Sequence, residues 1–440
     1  MKKKGDHGVW FAIAFLAVAG VMLVLTALSG EKQAFSNEKE QTEISFSWWG
    51  NDNRHKYTME GIENFEQKNP DINVKEIFGV WNGYSKRQQM AIASRTNADV
   101  MQINYAWISQ YSPDGTGFYD LNQLSDILHL NEYTKEDLAY GKVGQYQNAV
   151  PIAYNVSTCL YNKDIYDSFS GELPFTKSHA YPQTWDDLFA AAKVMSRKDI
   201  YPLSAVKKHM WMMLLAWYEQ KAGHPAFSED GTCSIDESGM EAILTFYKSL
   251  IDEKVCPPVD QADTSFSSQN AAGILCWISD TDRYGEALMD GGVHVEIGPL
   301  YTDGASYSGW YMKPATMYAI SRTTRHPQEA ARLLDFLVQD KDMVLLQRTE
   351  KGVPINQKAY FTLSRNGKLS GITEDAQKEF VDERDHRKML ATMPVMIEND
   401  DVIDAFKKVS DKYIYGQETL ENCAAEFMEA VSQAQTNQEG

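Results

Sequence analysis

Ile44, Phe46 and Trp48 alternate with Ser45, Ser47 and Trp49. That period of two predicts a strand over Glu43–Trp48. Gly50, Asn51, Asp52 and Asn53 follow and stop it. Met59, Ile62 and Phe65 then recur near helical spacing in Tyr57–Lys68, and Asn69-Pro70-Asp71 closes that helix. Ile72, Val74 and Ile77 make a second strand, Tyr84–Arg95 a second helix, and Asp99–Asn104 a short buried third strand. The βαβαβ order predicts an α/β fold with a mostly parallel sheet.

A second α/β region starts at Val150. The stretch VPIAYNVSTCLYNKDIYD (150–167) reads as two short strands and a turn. Thr184 and Asp187 form a capping-box pattern that opens a helix, with Leu188, Ala191, Ala192 and Met195 on its buried face. Residues 210–222 and 239–253 are apolar helices, and 271–279 is a buried strand. Pro327 opens a helix with Ala330, Leu333, Leu334 and Leu337 on one side. Residues 401–434 divide into two amphipathic helices at Tyr415-Gly416. No internal repeat and no low-complexity segment interrupts this pattern, so two α/β lobes with several chain crossings are the simplest organisation.

The N-terminus has a different pattern. Lys2, Lys3 and Lys4 precede an apolar run from Val9 to Leu28, long enough to span a bilayer as a helix. The basic flank would stay in the cytoplasm and place everything after Gly30 outside. Ala27-Leu28-Ser29 offers a small-x-small cleavage site, so an uncleaved anchor, a cleaved signal and a buried core helix all stay open. Residues 31–42 read as a polar tether.

Composition narrows the function classes. The 440 residues carry a formal net charge of −19, which repels phosphate backbones and argues against nucleic-acid binding. At 43% hydrophobic and 12% aromatic residues, the chain can build large cores. The five cysteines include no CxxC pair, which leaves a zinc site or disulfide framework unsupported and suggests buried apolar roles. The motifs HExxH, GxxxxGK[ST] and GxSxG are absent, and the histidines have no ligand spacing. Asp186-Asp187 is explained by helix capping, and no catalytic residue, metal or cofactor is expected.

What recurs is aromatic residues beside polar ones at strand ends. Trp48-Trp49-Gly50-Asn51 ends the first strand, Trp81-Asn82-Gly83-Tyr84 the second, and Asn104-Tyr105 with Trp107 the third. Asp280 to Arg283 follow the strand at 271–279, and Trp310 sits in a Gly-rich turn. In an open α/β sheet ligands lie beyond the carboxyl ends of the strands. A flat ring suits the C–H face of a sugar, and Asn, Asp and Arg suit its hydroxyls. Trp185 and Trp217 fall within helical patterns and belong to the core. One core cannot easily bury two adjacent strand tryptophans. Trp48 keeps phase with Phe46, so Trp49 is the one expected at the ligand, with Trp48 packed beneath it.

Several blocks, in order, resemble the extracellular solute-binding proteins of ABC-type carbohydrate importers, the family of maltose-binding protein. FSWWGNDNRHKYTMEGIENFEQKNPDINVK resembles the family's first strand, helix and second strand, and ADVMQINYAW its third strand. FYDLNQL, YPQTWDDLFAAAKVM, GWYMKPATMYAISRTTRHPQEAARLLDFL and KGVPINQKAY continue the match. Each block alone is a weak pattern; their order and spacing are specific. The resemblance spans about Ile44 to Gln435. It implies a two-lobed periplasmic-binding-protein-like fold with an interlobe cleft and several hinge crossings. The first lobe would comprise 43–150 plus 314–352, and the second 152–312 plus 355–435. It maps cleft residues onto Trp48 or Trp49, Arg54, Trp81, Asn104, Asp280 and Trp310, with Trp211 and Tyr154 as further positions. The implied function is a monomeric carbohydrate receptor at the extracellular face of the membrane. It would deliver a mono- or oligosaccharide to an importer permease without catalysis. A sugar sensor feeding a membrane signalling protein and a glycan-active enzyme are the rival readings. In one respect the chain departs from Gram-positive members: no lipobox cysteine precedes Cys159.

Overall fold

A computed structural model of the chain describes residues 41–81, 83–304, 307–369 and 371–439. The expected N-terminal anchor or signal and nearly all of the tether lie outside the described residues. Among the described residues no helix is long and apolar enough to cross a membrane.

Nine strands join in one sheet: β1 Thr42–Trp49, β2 Ile72–Gly79, β3 Val100–Ile103, β4 Ala149–Asn162, β5 Ser204–Ala205, β6 Gly273–Trp277, β7 Val295–Gly298, β8 Trp310–Ile320 and β9 Leu390–Thr392. The path is β2-β1-β3-β8-β4-β6-β5, with β9 on β8 and β7 on β4. β1 pairs in parallel with β2 and β3, while β8 runs antiparallel to both β3 and β4. The parallel expectation thus holds for the first three strands, and the rest of the sheet is mixed.

Two strands give the molecule its two-lobed plan. β4 is one continuous strand, where the sequence suggests two short strands and a turn. Its first part pairs with β8 and its last residues, Ser157–Asn162, pair with β6 and β7. β8 pairs with β3 at one end and β9 at the other. Their shared register shifts at Pro314–Thr316, where a proline has no N–H to give to a ladder. A run of buried residues on both faces makes β4 read as two elements, because it loses the alternation that marks a single strand.

The helices used below are α1 Asp52–Lys68, α2 Tyr84–Ala93, α3 Trp185–Met195, α4 Lys207–Ala222, α5 Glu237–Asp252, α6 Thr281–Asp290, α7 Pro327–Gln339, α8 Ile372–Val381, α9 Asp400–Ile414 and α10 Leu420–Glu439. α3 opens with the capping box read from the sequence: Thr184 accepts from the Asp187 N–H, and Asp187 accepts from the Thr184 N–H. One core packs Ile44, Phe46 and Trp48 of β1 against α1 and α7. A smaller one on the opposite face of β1 holds Trp49, Tyr84 and Trp107. The largest packs α3, α4, α5, α9 and α10 around the far half of β4. All five cysteines are free, and four are buried.

Candidate functional site

The turn after β1 sets the first wall. Asn51 caps α1 by accepting the Arg54 N–H at 2.9 Å. Gly50 has no room for a side chain, since a Cβ there would lie 2.5 Å from Arg54 Cβ. Arg54 thereby reaches the later chain crossing, where its Nη2 donates to the Glu350 carbonyl, and Asn53 donates to the Glu350 carboxylate at 2.6 Å.

The two strand tryptophans diverge, as the pleat requires. Trp48 is fully buried, stacks between Phe46 and Phe78 at about 5 Å, and donates its indole N–H to His55 Nδ1. Trp49 points to the other face and is only 9% exposed. Both are buried because the sheet is covered on both faces, so each has its own core. Around Trp49 lie Trp81, Tyr84 and Trp107, with ring centroids 5.0–6.0 Å away. Trp81 is the outermost ring, 38% exposed, and lies nearly parallel to Trp107, 5.9 Å away. Trp81, Trp107 and Asn104 line a cavity of about 140 Å³ whose opposite wall is Val395, Glu398 and Asp400. Asn104 is held there by accepting the Ala106 N–H.

Tyr154 lies midway along β4 and faces a different and larger cavity, of about 780 Å³. Its hydroxyl donates to Asp137. Its ring meets Tyr140 edge-on at 5.8 Å and Phe380 of α8 at 5.5 Å, and Tyr140 in turn meets Tyr105 at 5.7 Å. Arg384 completes this wall, its guanidinium 5.9 Å from the Tyr154 ring.

Asp280 stands half-buried in the turn between β6 and α6. Burial raises its carboxyl, while the charges of Arg54 and Arg283 pull it back down. The remaining two expected residues sit elsewhere. Trp310 is 2% exposed, stacks against Trp185 and donates to the Tyr301 carbonyl. Trp211 is fully buried between Phe406 and Phe427 and donates to the Ile397 carbonyl. Packing and a satisfied indole N–H account for both, which lie in the core; Trp48 lies in a core too, on the face opposite Trp49 and not beneath it.

The sequence reading does not single out an ion triad beside the first cavity. Glu398 pairs with Lys208 of α4 and Lys313 of β8. Burial pushes the Glu398 carboxyl up, but the two lysines outweigh it and hold it at about 2. Both ammoniums also face Trp277, 6.0 and 5.2 Å from its ring. Nor did the sequence mark Tyr140, Asp137 or Arg384. Thr134-x-x-Asp137 is a capping box that could have flagged the short helix beneath Tyr140. Arg384 has no local signal.

The site is therefore a ring-lined, polar-edged crevice between two α/β lobes, which is a binding architecture. Residues 60–368 match the bacterial extracellular solute-binding protein family, and the chain belongs to it. A periplasmic oligogalacturonide binding protein from Yersinia enterocolitica, in complex with saturated digalacturonic acid, has a similar structure, with TM-score 0.80 and 27% identity over 90% of this chain and 100% of that one. A periplasmic solute binding protein from Pectobacterium atrosepticum is also similar, with TM-score 0.79 and 28% identity over 91% and 99%. An ABC substrate-binding protein from Listeria monocytogenes, in complex with cycloalternan, shares the fold at TM-score 0.69 and 19% identity over 91% and 98%.

Proposed function

We propose that this chain is an extracellular receptor that captures a saccharide between its lobes and hands it to the permease of an ABC importer, leaving the sugar chemically unchanged. The observation that carries this reading is the crevice itself. Exposed or half-exposed rings (Trp81, Tyr105, Tyr140, Tyr154) stand there beside Asn104, Asp137 and Arg384, with Tyr154 and Arg384 supplied by the second lobe. Ring faces suit sugar C–H faces, and carboxylates and amides suit hydroxyls. Relatives solved with digalacturonic acid and cycloalternan support the same ligand class. Trp49 serves as the layer beneath Trp81, and Arg54 and Asp280 set the charge across the lobe boundary. We assign the lobes to 43–150 plus 314–352 and 152–312 plus 355–435, with the protein acting as a monomer held at the membrane by its N-terminal segment. Titration with a panel of saccharides, followed by tryptophan fluorescence and melting temperature, tests the reading. Saturable quenching or a raised melting temperature with at least one sugar is the expected result. A response only to an amino acid, peptide or metal would refute it.

A further inference from the structure

We infer that the crevice is built for an uncharged oligosaccharide of several rings and turns away uronides; this rests on the saccharide reading above. Three cavities adjoin in series as a trough. The chamber of about 780 Å³ and a neighbour of about 460 Å³ share Tyr105, Ala139 and Tyr140 as walls. The neighbour in turn shares Val395 with the cavity under Trp81 and Asn104. The chamber of about 780 Å³ alone matches pockets that take drug-sized ligands, about 300–1,000 Å³, so the adjoining cavities together have room for several rings. The tyrosine strip crosses it edge to face, offering ring faces along its length.

Its charge is predominantly negative. The large chamber carries Glu136, Asp137 and Asp385 against a single cation, Arg384, and that guanidinium is already gripped by both Asp385 oxygens at 2.7 and 2.9 Å. The middle cavity is lined by Glu229 and Asp230 against Lys142. The third is lined by Glu398, Asp400 and Asp401, with no lysine or arginine in its wall. Lys208 and Lys313 approach it but close on Glu398. Outside the linings of these cavities, Arg54 donates to the Glu350 carbonyl and Arg283 pairs with Asp263 at 3.5 Å. A uronate carboxylate entering this trough would lose water and meet eight lining carboxylates against two lining cations, Arg384 and Lys142, inside walls that focus a negative field. Sugar hydroxyls are donors, and the same carboxylates accept from them. Specificity built from repulsion would separate this chain from the relative solved with digalacturonic acid.

The test is calorimetric titration in divalent-free buffer. The ligands are digalacturonic and trigalacturonic acid, set against neutral gluco-, galacto-, manno- and xylo-oligosaccharides. The expected result is a neutral oligosaccharide, trimer or longer, that binds at least about tenfold more tightly than either acid. Residual binding of the acids should strengthen between about 0.01 M and 0.1 M salt, as the screening length falls from about 30 to about 10 Å. An acid that binds as tightly as the best neutral sugar, or that weakens with salt as an attracted ligand does, overturns the inference and leaves the saccharide reading standing. Failure of every saccharide to bind overturns that reading and the inference with it.

Discussion

Trp81 and Trp211 are separated by what their rings touch. Trp81 keeps a third of its surface open over the crevice, whereas Trp211 has none. Trp81→Ala should therefore weaken saccharide binding about two- to tenfold, the loss of one stacking contact of about 0.5–1.5 kcal/mol. Its melting temperature should move little. Trp211→Ala should instead cost about 3–5 kcal/mol of stability through the cavity it leaves. Calorimetry and denaturant melts on the two variants check this contrast. Lys351 sets a second residue-scale expectation. It is buried under Tyr57 and Tyr318, donates to the Tyr318 hydroxyl at 2.6 Å, and is lowered to about 7 by burial, with the Arg54 charge adding to it. The unfolded chain holds this proton up to about pH 10.4 while the folded chain releases it near 7. Stability should then rise with pH across that window. Lys351→Met should raise the melting temperature most at pH 7, with the gain shrinking by pH 10. An equal gain at both pH values would contradict the assignment.

At the scale of elements, the Lys208–Glu398–Lys313 triad ties α4, β8 and the turn before α9 together. Glu398→Gln leaves two lysines without their carboxylate, and breaking a buried pair from one side costs about 3–5 kcal/mol. The folded carboxyl titrates at about 2, below its unfolded value of about 4.3. The stability it supplies is present above pH 4.3 and drains as the pH falls towards 2, so the variant should lack that part of the acid limb in pH-dependent melts. Gly309, at the entry of β8, is a second such joint. Its φ is +67°, and a Cβ would lie 2.6 Å from the Ala216 backbone of α4. Gly309→Ala should destabilise the far lobe by more than the about 1 kcal/mol of an ordinary glycine replacement, as read by urea melts. Elements with a clear period were legible in the sequence: β1, the helix opened by Thr184 and Asp187, and the paired C-terminal helices. β4 was not, because burial on both faces erases alternation.

At the scale of the whole molecule, β4 and β8 run through both lobes, and the crossing at Glu350–Ile355 touches Arg54 and pairs Pro354 with Ala153. Crossings of this kind suit hinge closure between two lobes. Small-angle scattering should show a smaller radius of gyration on saturation with a bound saccharide. An unchanged radius would mean that the lobes do not close on it.

The sequence by itself determined the two-lobed α/β class, the family and the strand-end positions of Trp49, Trp81 and Asn104. Those properties rest on local period, caps and the order of blocks, all of which are written along the chain. Only the tertiary structure decided which rings face the crevice. It buried Trp48 and Trp49 on opposite faces of a doubly covered sheet, and packed Trp211 and Trp310 into the far core. It also brought Asp137, Tyr140, Tyr154 and Arg384 together from segments up to about 250 positions apart. The sign of the trough's charge could not be read earlier for the same reason. A net charge is a sum along the chain, whereas the field in a cleft depends on which carboxylates the fold leaves facing one another.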